Sequence, residues 1–241
     1  MGTLSIISRS SLPFADRTEA GILLGRELLN EGIMHPGIVV LGIPRGGLAV
    51  AREVAHTLDA DLDIVLSRKL GAPGNPELAI GAVAEDGKVF LHRMLMDSLG
   101  VSDAYIQEEK TRQMAEIARR SDLIRRILSG VPLAGRVVIV TDDGVATGAT
   151  MQAALWVAKQ EKPSRLICAL PVGPEDTIIG LSQDADDTIC LRSPPDFAAV
   201  GQFYRIFPQV EDDEVLTIVR KEAQRKSAAK EAPRRGKSGG V

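Results

Sequence analysis

Residues 137–150 read Val-Val-Ile-Val-Thr-Asp-Asp-Gly-Val-Ala-Thr-Gly-Ala-Thr, and this stretch decides the fold. Its first four residues are apolar and β-branched, a run that is too short for most helices and typical of a strand buried on both faces. Two carboxylates, a loop of small and hydroxylated residues and the start of a helix follow. Because open α/β sheets bind ligands at the carboxyl ends of their strands, the stretch predicts a binding site in such a sheet.

The loop after this strand suits a phosphate group. The backbone N–H groups of Ala146–Thr150 lie at the mouth of a predicted helix and can surround an anion. Thr147 adds a hydroxyl donor, as does Thr150 at the end of the loop. Gly148 and Ala149 let the backbone approach the ligand closely.

The acidic pair Asp142–Asp143 would bind a different part of the same ligand, because carboxylates repel phosphate. They suit hydroxyl groups such as a ribose diol, with a divalent metal nearby. For Asp-Asp-Gly alone, an acidic helix cap in a tight turn is an equally good interpretation. The full string favours a site for a phosphorylated sugar.

A second loop, Pro44-Arg45-Gly46-Gly47, follows another short apolar run at 38–43 and precedes residues with helical spacing. The backbone of Gly46 and Gly47 and the forked guanidinium of Arg45 would form a small anion pocket. Alone, this motif fits an ordinary strand-to-helix turn. Together with the first loop it indicates a ligand that carries phosphate groups at both ends.

A third strand, 62–66, ends in Ser67-Arg68-Lys69 and is followed by residues 70–77. Two prolines and two glycines in that stretch predict an irregular, mobile loop. Arg68 and Lys69 at its start are candidates to neutralise a leaving group when the loop closes over a diphosphate. A solvated surface loop is the alternative.

The composition fits one large domain. The chain has 241 residues, 44% of them hydrophobic, and a net charge of −3, which gives no general attraction for nucleic acid. Cys168 and Cys190 lie in predicted strands without metal-ligand spacing, so buried thiols in a reducing compartment are expected. No apolar run approaches the ~20 residues of a membrane helix, and the N-terminus has no signal-peptide pattern. These features predict a cytoplasmic protein.

Further helices flank these strands. Residues 1–13 are expected to form an irregular arm, and Asp16 to cap a helix that ends near Gly32. Ser102 is expected to begin a long helix that runs to about Leu128 and whose length suggests packing on a second copy of the chain. Arg17, Glu85 and His92 are interpreted as structural or solvated. The long helix also carries four arginines that could attract an anionic partner, although a solvated face is favoured: Arg119, Arg120, Arg125 and Arg126.

The predicted fold is α/β, a mostly parallel twisted sheet flanked by helices, because strands and helices alternate along the chain. Residues 1–226 are expected to form a single domain with its core at about 36–192. A hairpin and the long helix form an insertion at about 78–130. Residues 193–226 form a C-terminal segment, and the basic tail 227–241 is expected to be disordered.

The string 137–150 resembles the 5-phosphoribosyl-1-diphosphate (PRPP) motif of the type I phosphoribosyltransferases, in which four apolar residues precede an acidic pair and a Thr-Gly-x-Thr loop. The resemblance implies that Asp142 and Asp143 hold the ribose 2- and 3-hydroxyls and that Ala146–Thr150 bind the 5-phosphate. It implies that Arg45–Gly47 bind pyrophosphate, with a cis peptide between Pro44 and Arg45. It also implies a flexible catalytic loop near residues 68–77.

The acceptor is less well indicated. Residues 68–83 and 199–204 are similar to a bacterial subgroup of this family that has no assigned substrate. Members that act on oxopurines have an Asp just before the Thr-Gly, where this chain has Ala146. The aromatic segment 197–207 could stack on a planar ligand or pack at one end of the sheet, and packing is favoured.

The predicted function is therefore a Mg²⁺-dependent phosphoribosyltransferase that uses PRPP and releases pyrophosphate. The acceptor would be a nitrogen nucleophile, with a nucleobase favoured, and no general base is assigned. A sensor that binds PRPP or a nucleotide without turnover is the main alternative. A phosphatase or hydrolase lacks a plausible nucleophile.

Overall fold

The computed structural model describes residues 3–231, apart from the side chains of Glu77 and of residues 229–231. The strands are β1 Thr3–Ser8, β2 Val39–Gly42, β3 Asp61–Ile64, β4 Ser67–Ala72, β5 Asn75–Ala84, β6 Val89–Leu91, β7 Val137–Thr141, β8 Arg165–Val172 and β9 Asp187–Arg192. The α-helices are α1 Arg17–Asn30, α2 Gly47–Thr57, α3 Arg93–Leu99, α4 Asp103–Arg125, α5 Ala149–Gln160, α6 Glu175–Leu181 and α7 Asp212–Glu231. A short 3₁₀ helix covers Val200–Phe203.

The main sheet has six parallel strands in the order β1-β9-β8-β7-β2-β3. In β7, Val138, Ile139 and Val140 are fully buried, as expected for a central strand covered on both faces. The predicted mostly parallel sheet is confirmed.

The N-terminal arm was predicted wrongly. Residues 3–8 form β1, which pairs in parallel with β9 at the edge of the sheet. Leu4 and Ile7 stay more than a third exposed. Because this edge strand is only partly covered, its sequence needs neither the continuous apolar run nor the strict alternation by which a strand is recognised.

The prediction of an irregular, mobile loop at 70–77 was also wrong, because these residues belong to a β-hairpin. Strands β4 and β5 pair antiparallel around a turn at Pro73–Gly74, and the register shifts around Gly71. A Cβ atom on Gly71 would lie 2.9 Å from the Cα of Pro76. The proline sits at this irregularity, where the ladder does not need its missing N–H, so proline and glycine shape the hairpin instead of excluding it.

Strand β6 extends this hairpin through the predicted turn at 85–87, which confirms the second hairpin. His92 accepts a hydrogen bond at Nδ1 from the backbone N–H of Leu95 and caps α3, which confirms its structural role. Helix α4 begins at its predicted cap, Ser102. Its apolar residues Ile106 and Ile117 are buried in the core of this same chain, so association through α4 stays a prediction.

Arg125 is not the solvated cation that the sequence suggested. Its Nη1 lies 2.6 Å from Oδ1 of Asp63, and its Nη2 lies 2.9 Å from Oε2 of Glu85. The second Asp63 oxygen accepts the N–H of Val131 at 2.8 Å, and Ser121 donates to Glu85. Glu85 is therefore more than a turn residue: this network joins α4 to β3 and to the β5–β6 turn.

Arg125→Met is expected to lower the free energy of unfolding by about 3 kcal/mol, because it leaves the buried Asp63 carboxylate without its cation. Arg126→Met is the matched control. Arg126 pairs with Asp122 on the exposed side of the same helix, and such pairs contribute about 0–1 kcal/mol. Urea denaturation of both variants checks the prediction, and equal midpoints would contradict it.

Both cysteines are buried, as the sequence predicts. Cys168 and Cys190 are buried free thiols, and burial raises the pKa of Cys190 to about 12. Helix α7 continues to Glu231, past the predicted start of the disordered tail, and 232–241 lie outside the described residues. Within the described part of the chain, no helix combines the length and apolarity needed to cross a membrane.

Candidate active site

The two predicted anion loops start side by side at the carboxyl edge of the sheet. Strands β2 and β7 are neighbours, with Gly42 opposite Thr141. The N–H of Ile43 then donates to the carbonyl of Thr141 at 3.0 Å. The loop 44–47 and the acidic pair that follows β7 therefore leave the sheet together.

Two glycines allow these loops to touch. A Cβ atom on Gly47 would lie 2.6 Å from both the Cα and the Oδ1 of Asp142. A Cβ atom on Gly46 would lie 2.0 Å from Oδ2 of Asp143. A larger residue at either position would clash with the acidic pair. The peptide between Pro44 and Arg45 is cis, which confirms the sequence prediction.

The acidic pair is partly buried and held in a local arrangement. The N–H of Asp143 donates to Oδ1 of Asp142 at 2.8 Å. Burial and the adjacent Asp143 carboxylate raise the pKa of Asp142 well above its usual range. Burial also raises the pKa of Asp143, although Arg17 offsets part of the effect. Two carboxylates that resist ionisation together are typical of a functional site that a ligand or cation completes.

Arg17 is the main residue that the sequence reasoning missed. Its side chain is only 12% exposed, and its Nε lies 2.7 Å from Oδ2 of Asp143. Its Nη1 donates to the carbonyl of Pro208 at 2.9 Å, and its guanidinium carbon lies 3.8 Å from the centre of the Phe207 ring. The partner is 126 residues away, which no local pattern shows. One signal existed: Arg17 is the first residue of α1, where the helix dipole disfavours a cation.

Tyr204 holds the backbone of the same residue, Asp143. Its hydroxyl donates to the carbonyl of Asp143 at 2.5 Å. The ring packs against Phe14 and Phe207 with centroids 5.4 and 4.8 Å apart, which confirms the packing interpretation for this part of the aromatic segment. Backbone hydrogen bonds join residues 14–15 to 203–206. The N-terminal and C-terminal segments therefore form one unit beside the acidic pair.

The loop after the acidic pair has the form of an anion site. Gly148 adopts a left-handed conformation, with φ of 77°, and leads into α5. Thr147 and Thr150 are exposed. Ala149 and Thr150 lie in the first turn of α5, where backbone N–H groups have no intrahelical acceptor. The Thr177 hydroxyl donates to the carbonyl of Ala146 at 2.8 Å and fixes the loop from α6.

Arg68 and Lys69 lie on opposite faces of β4, because successive side chains of a strand alternate. Arg68 is opposite Val83, and Lys69 is opposite Ala82. Ala82 packs in a cluster with Trp156 of α5, so Lys69 lies on the face toward α5. Arg68 faces α4, where its Nη2 lies 3.5 Å from Oε2 of Glu116. The structure therefore separates the two predicted cations.

Arg45 is held by carboxylates at the start of α7. Its Nη1 lies 3.3 Å from Oε2 of Glu211 and 3.9 Å from Oδ1 of Asp212. Neither acid stood out in the sequence, since Asp212 reads as an ordinary acidic residue in the first turn of a helix. The candidate diphosphate loop is thus bordered by α7 as well as by the acidic pair.

Comparisons with known proteins agree with this geometry. The phosphoribosyl transferase domain family matches residues 23–208. The chain is 41% identical over 206 residues to Rv0571c of Mycobacterium tuberculosis (strain ATCC 25618 / H37Rv), which is named as a proposed phosphoribosyl transferase. That match covers 86% of this chain and 46% of Rv0571c, so the chain spans about half the length of the curated relatives it matches. The crystal structure of TT1426 from Thermus thermophilus has 43% identity and a TM-score of 0.82, and the match covers 87% of this chain and 99% of TT1426.

Proposed function

Because the chain belongs to the phosphoribosyl transferase domain family, we propose that it is an enzyme that transfers the phosphoribosyl group of PRPP to a nitrogen acceptor and releases pyrophosphate. One observation carries the proposal. The glycines of the 44–47 loop pack directly on the acidic pair of the phosphate loop. A single ligand with a phosphate at one end and a diphosphate at the other would span both loops.

The residues divide this ligand between them. Backbone N–H groups and hydroxyls of Ala146–Thr150 bind the 5-phosphate. Asp142 and Asp143 accept hydrogen bonds from the ribose hydroxyls. Arg45, Gly46 and Gly47 bind the diphosphate through a guanidinium and backbone donors.

Catalysis in this proposal comes from positioning and electrostatics. Holding both reactants in one geometry can lower a barrier by about 7–11 kcal/mol. The carboxylates of Asp142 and Asp143 stabilise the positive charge that develops on the ribose ring as pyrophosphate departs. Arg17 orients Asp143 through its ion pair with Oδ2. No residue of this site is assigned as a general base.

The donor set fits Mg²⁺ that is carried by the substrate. Among the side chains that the structure describes, no group of three or more His, Cys, Asp or Glu is arranged to hold a metal ion. The paired carboxylates, whose pKa values are raised by burial, would nevertheless be stabilised in their charged form by a nearby cation. When bound, Mg²⁺ would neutralise charge on the diphosphate.

Acceptor selection is proposed for the unit that joins residues 14–17 to 200–207, since it borders Asp143 through Arg17 and Tyr204. A nitrogen base is the favoured class of acceptor. This chain has Ala146 where oxopurine-specific relatives have a carboxylate, so the acceptor base would be recognised by other groups.

Calorimetry with Mg²⁺ tests whether one ligand spans both loops. We expect PRPP to bind at least about tenfold more tightly than either ribose 5-phosphate or pyrophosphate, since linking two anchored groups adds to affinity. A PRPP affinity equal to that of ribose 5-phosphate would contradict the proposal.

Lys69→Ala distinguishes an enzyme from a sensor. In an enzyme, loss of this cation should lower kcat by about tenfold or more while the Kd for PRPP changes little, because the charge acts mainly on the leaving group. Lys88→Ala is the matched control, since Lys88 is an exposed lysine that pairs with Asp86 and Glu161. Absence of turnover in the wild-type protein, combined with tight PRPP binding, would favour the sensor.

A further inference from the structure

Four arginines from three elements meet next to the candidate diphosphate loop. They are Arg45 of the loop, Arg68 of β4, and Arg119 and Arg120 of α4. A single carboxylate shows how close they are: Asp212 has one oxygen 3.9 Å from Nη1 of Arg45 and the other 3.7 Å from Nη1 of Arg119. Arg68 pairs with Glu116, which lies one turn before Arg119 and Arg120 on α4.

Arg120 is the least satisfied member of this cluster. Its Nε is buried and has no hydrogen-bond partner within residues 3–231. It borders a small and mainly apolar cleft, in which Arg45 and Asp212 are the other charged residues among apolar side chains such as Leu123 and Leu216. Burial and the nearby Arg68 lower the pKa of its guanidinium. Keeping a cation beside other cations costs stability, and Asp212 offsets this cost only in part, since the pKa of Arg120 is lowered on balance.

The carboxylates that face the cluster form only weak, solvent-exposed ion pairs with it. Glu211 and Asp212 are 67% and 47% exposed, and their contacts to Arg45 are 3.3 and 3.9 Å long. Exposed pairs of this kind contribute about 0–1 kcal/mol. A ligand that carries several phosphate charges could therefore replace them at little cost.

We propose that Arg120 is a diphosphate-binding residue, that Arg119 and Arg120 of α4 extend the site begun by Arg45, and that Glu211 and Asp212 hold this site until the diphosphate displaces them. Forked guanidinium donors match phosphate oxygens. The identity of the natural ligand rests on the proposed function. The anion site itself rests only on the arginine cluster, so inorganic pyrophosphate is a sufficient probe.

Calorimetric titration of Arg120→Met with pyrophosphate and Mg²⁺ tests the proposal, with Arg126→Met as the control on the exposed side of α4. The expected result is at least about tenfold weaker pyrophosphate binding for Arg120→Met, an unchanged affinity for ribose 5-phosphate and a melting temperature that is unchanged or higher. A purely structural arginine would instead lower the melting temperature. Equal pyrophosphate affinities for the two variants, or no binding by the wild-type protein, would overturn the proposal.

A second variant tests the displacement without touching a buried residue. Glu211→Gln with Asp212→Asn should bind pyrophosphate several-fold more tightly, because the competing carboxylates are removed. Equal or weaker binding would overturn their displaceable role. If pyrophosphate binding depends on Arg120 but PRPP is not turned over with any base, the arginine site stands and the proposed enzyme fails. If Arg120→Met turns over PRPP at the wild-type rate and affinity, the enzyme stands and the arginine site fails.

Discussion

Replacing both Asp142 and Asp143 with asparagine is expected to abolish PRPP binding and to raise the melting temperature of the protein. Each substitution removes a charged acceptor, and a hydrogen bond to a charged group contributes about 1.5–3 kcal/mol. The loss of two should weaken binding by at least about 100-fold. Burial and mutual repulsion disfavour the charged pair in the folded protein, and the ion pair of Asp143 with Arg17 offsets only part of this cost, since the pKa of Asp143 is raised on balance. The melting temperature should therefore rise even though the substitution removes that ion pair.

The gain in stability should depend on pH. Both pKa values are raised on folding, from about 3.9 in an unfolded chain, so the folded wild-type protein binds these protons more tightly than the unfolded chain does. Its stability relative to the variant therefore falls as the pH rises from about 4 through the raised pKa values. The difference in melting temperature should be larger at about pH 8 than at about pH 5.

Thermal melts and calorimetry of the same samples check both effects. Asp122→Asn is the control, since Asp122 is an exposed acid that pairs with Arg126. An unchanged PRPP affinity in the double variant would refute the assigned role of the pair. A lower melting temperature of the double variant would show that the charged pair stabilises the folded protein instead of destabilising it.

Gly47→Ala is expected to lower kcat/KM by about 100-fold, because the new Cβ would lie 2.6 Å from the Cα of Asp142 and force the two loops apart. Displacement of reacting groups by about 1 Å can cost a factor of this size. Overpacking of this kind also costs about 1–3 kcal/mol of stability. Unlike a surface side chain, the backbone of Asp142 cannot turn away from the added methyl group.

Gly180→Ala is the matched control for this substitution. Gly180 lies in α6, and a Cβ atom there would have nothing within 4 Å. Its replacement should leave activity unchanged and stabilise the protein by about 0.5–1 kcal/mol. Steady-state kinetics and denaturation of both variants provide the comparison. Equal activities would show that close contact between the two loops is not required.

The central sheet and the positions of both candidate anion loops were predictable because their signals are local. A short β-branched run, a carboxylate pair and a glycine-rich turn occur within a few consecutive residues, and in a parallel sheet such loops meet at one edge. The resemblance to the phosphoribosyltransferases added the cis peptide at Pro44–Arg45, which the structure confirms. Family membership is likewise shown by the comparisons.

Other parts of the site were not predictable because they depend on contacts between distant segments. Arg17 meets Asp143 from the start of the chain, and Tyr204 meets it from the far end. Each residue has an ordinary local context, a helix start or an aromatic cluster. The hairpin at 67–84 was missed for a different reason. A rule that treats proline and glycine as strand breakers fails where Pro76 sits at a register shift.

The most direct test of the proposed function is pyrophosphate release from PRPP and Mg²⁺ in the presence of a panel of purine and pyrimidine bases. The wild-type protein should release pyrophosphate with at least one base and form the matching nucleoside monophosphate. The Asp142→Asn, Asp143→Asn variant should release none above background. If the wild-type protein binds PRPP but releases no pyrophosphate with any base, or if the variant releases it at the wild-type rate, the proposed transferase is contradicted.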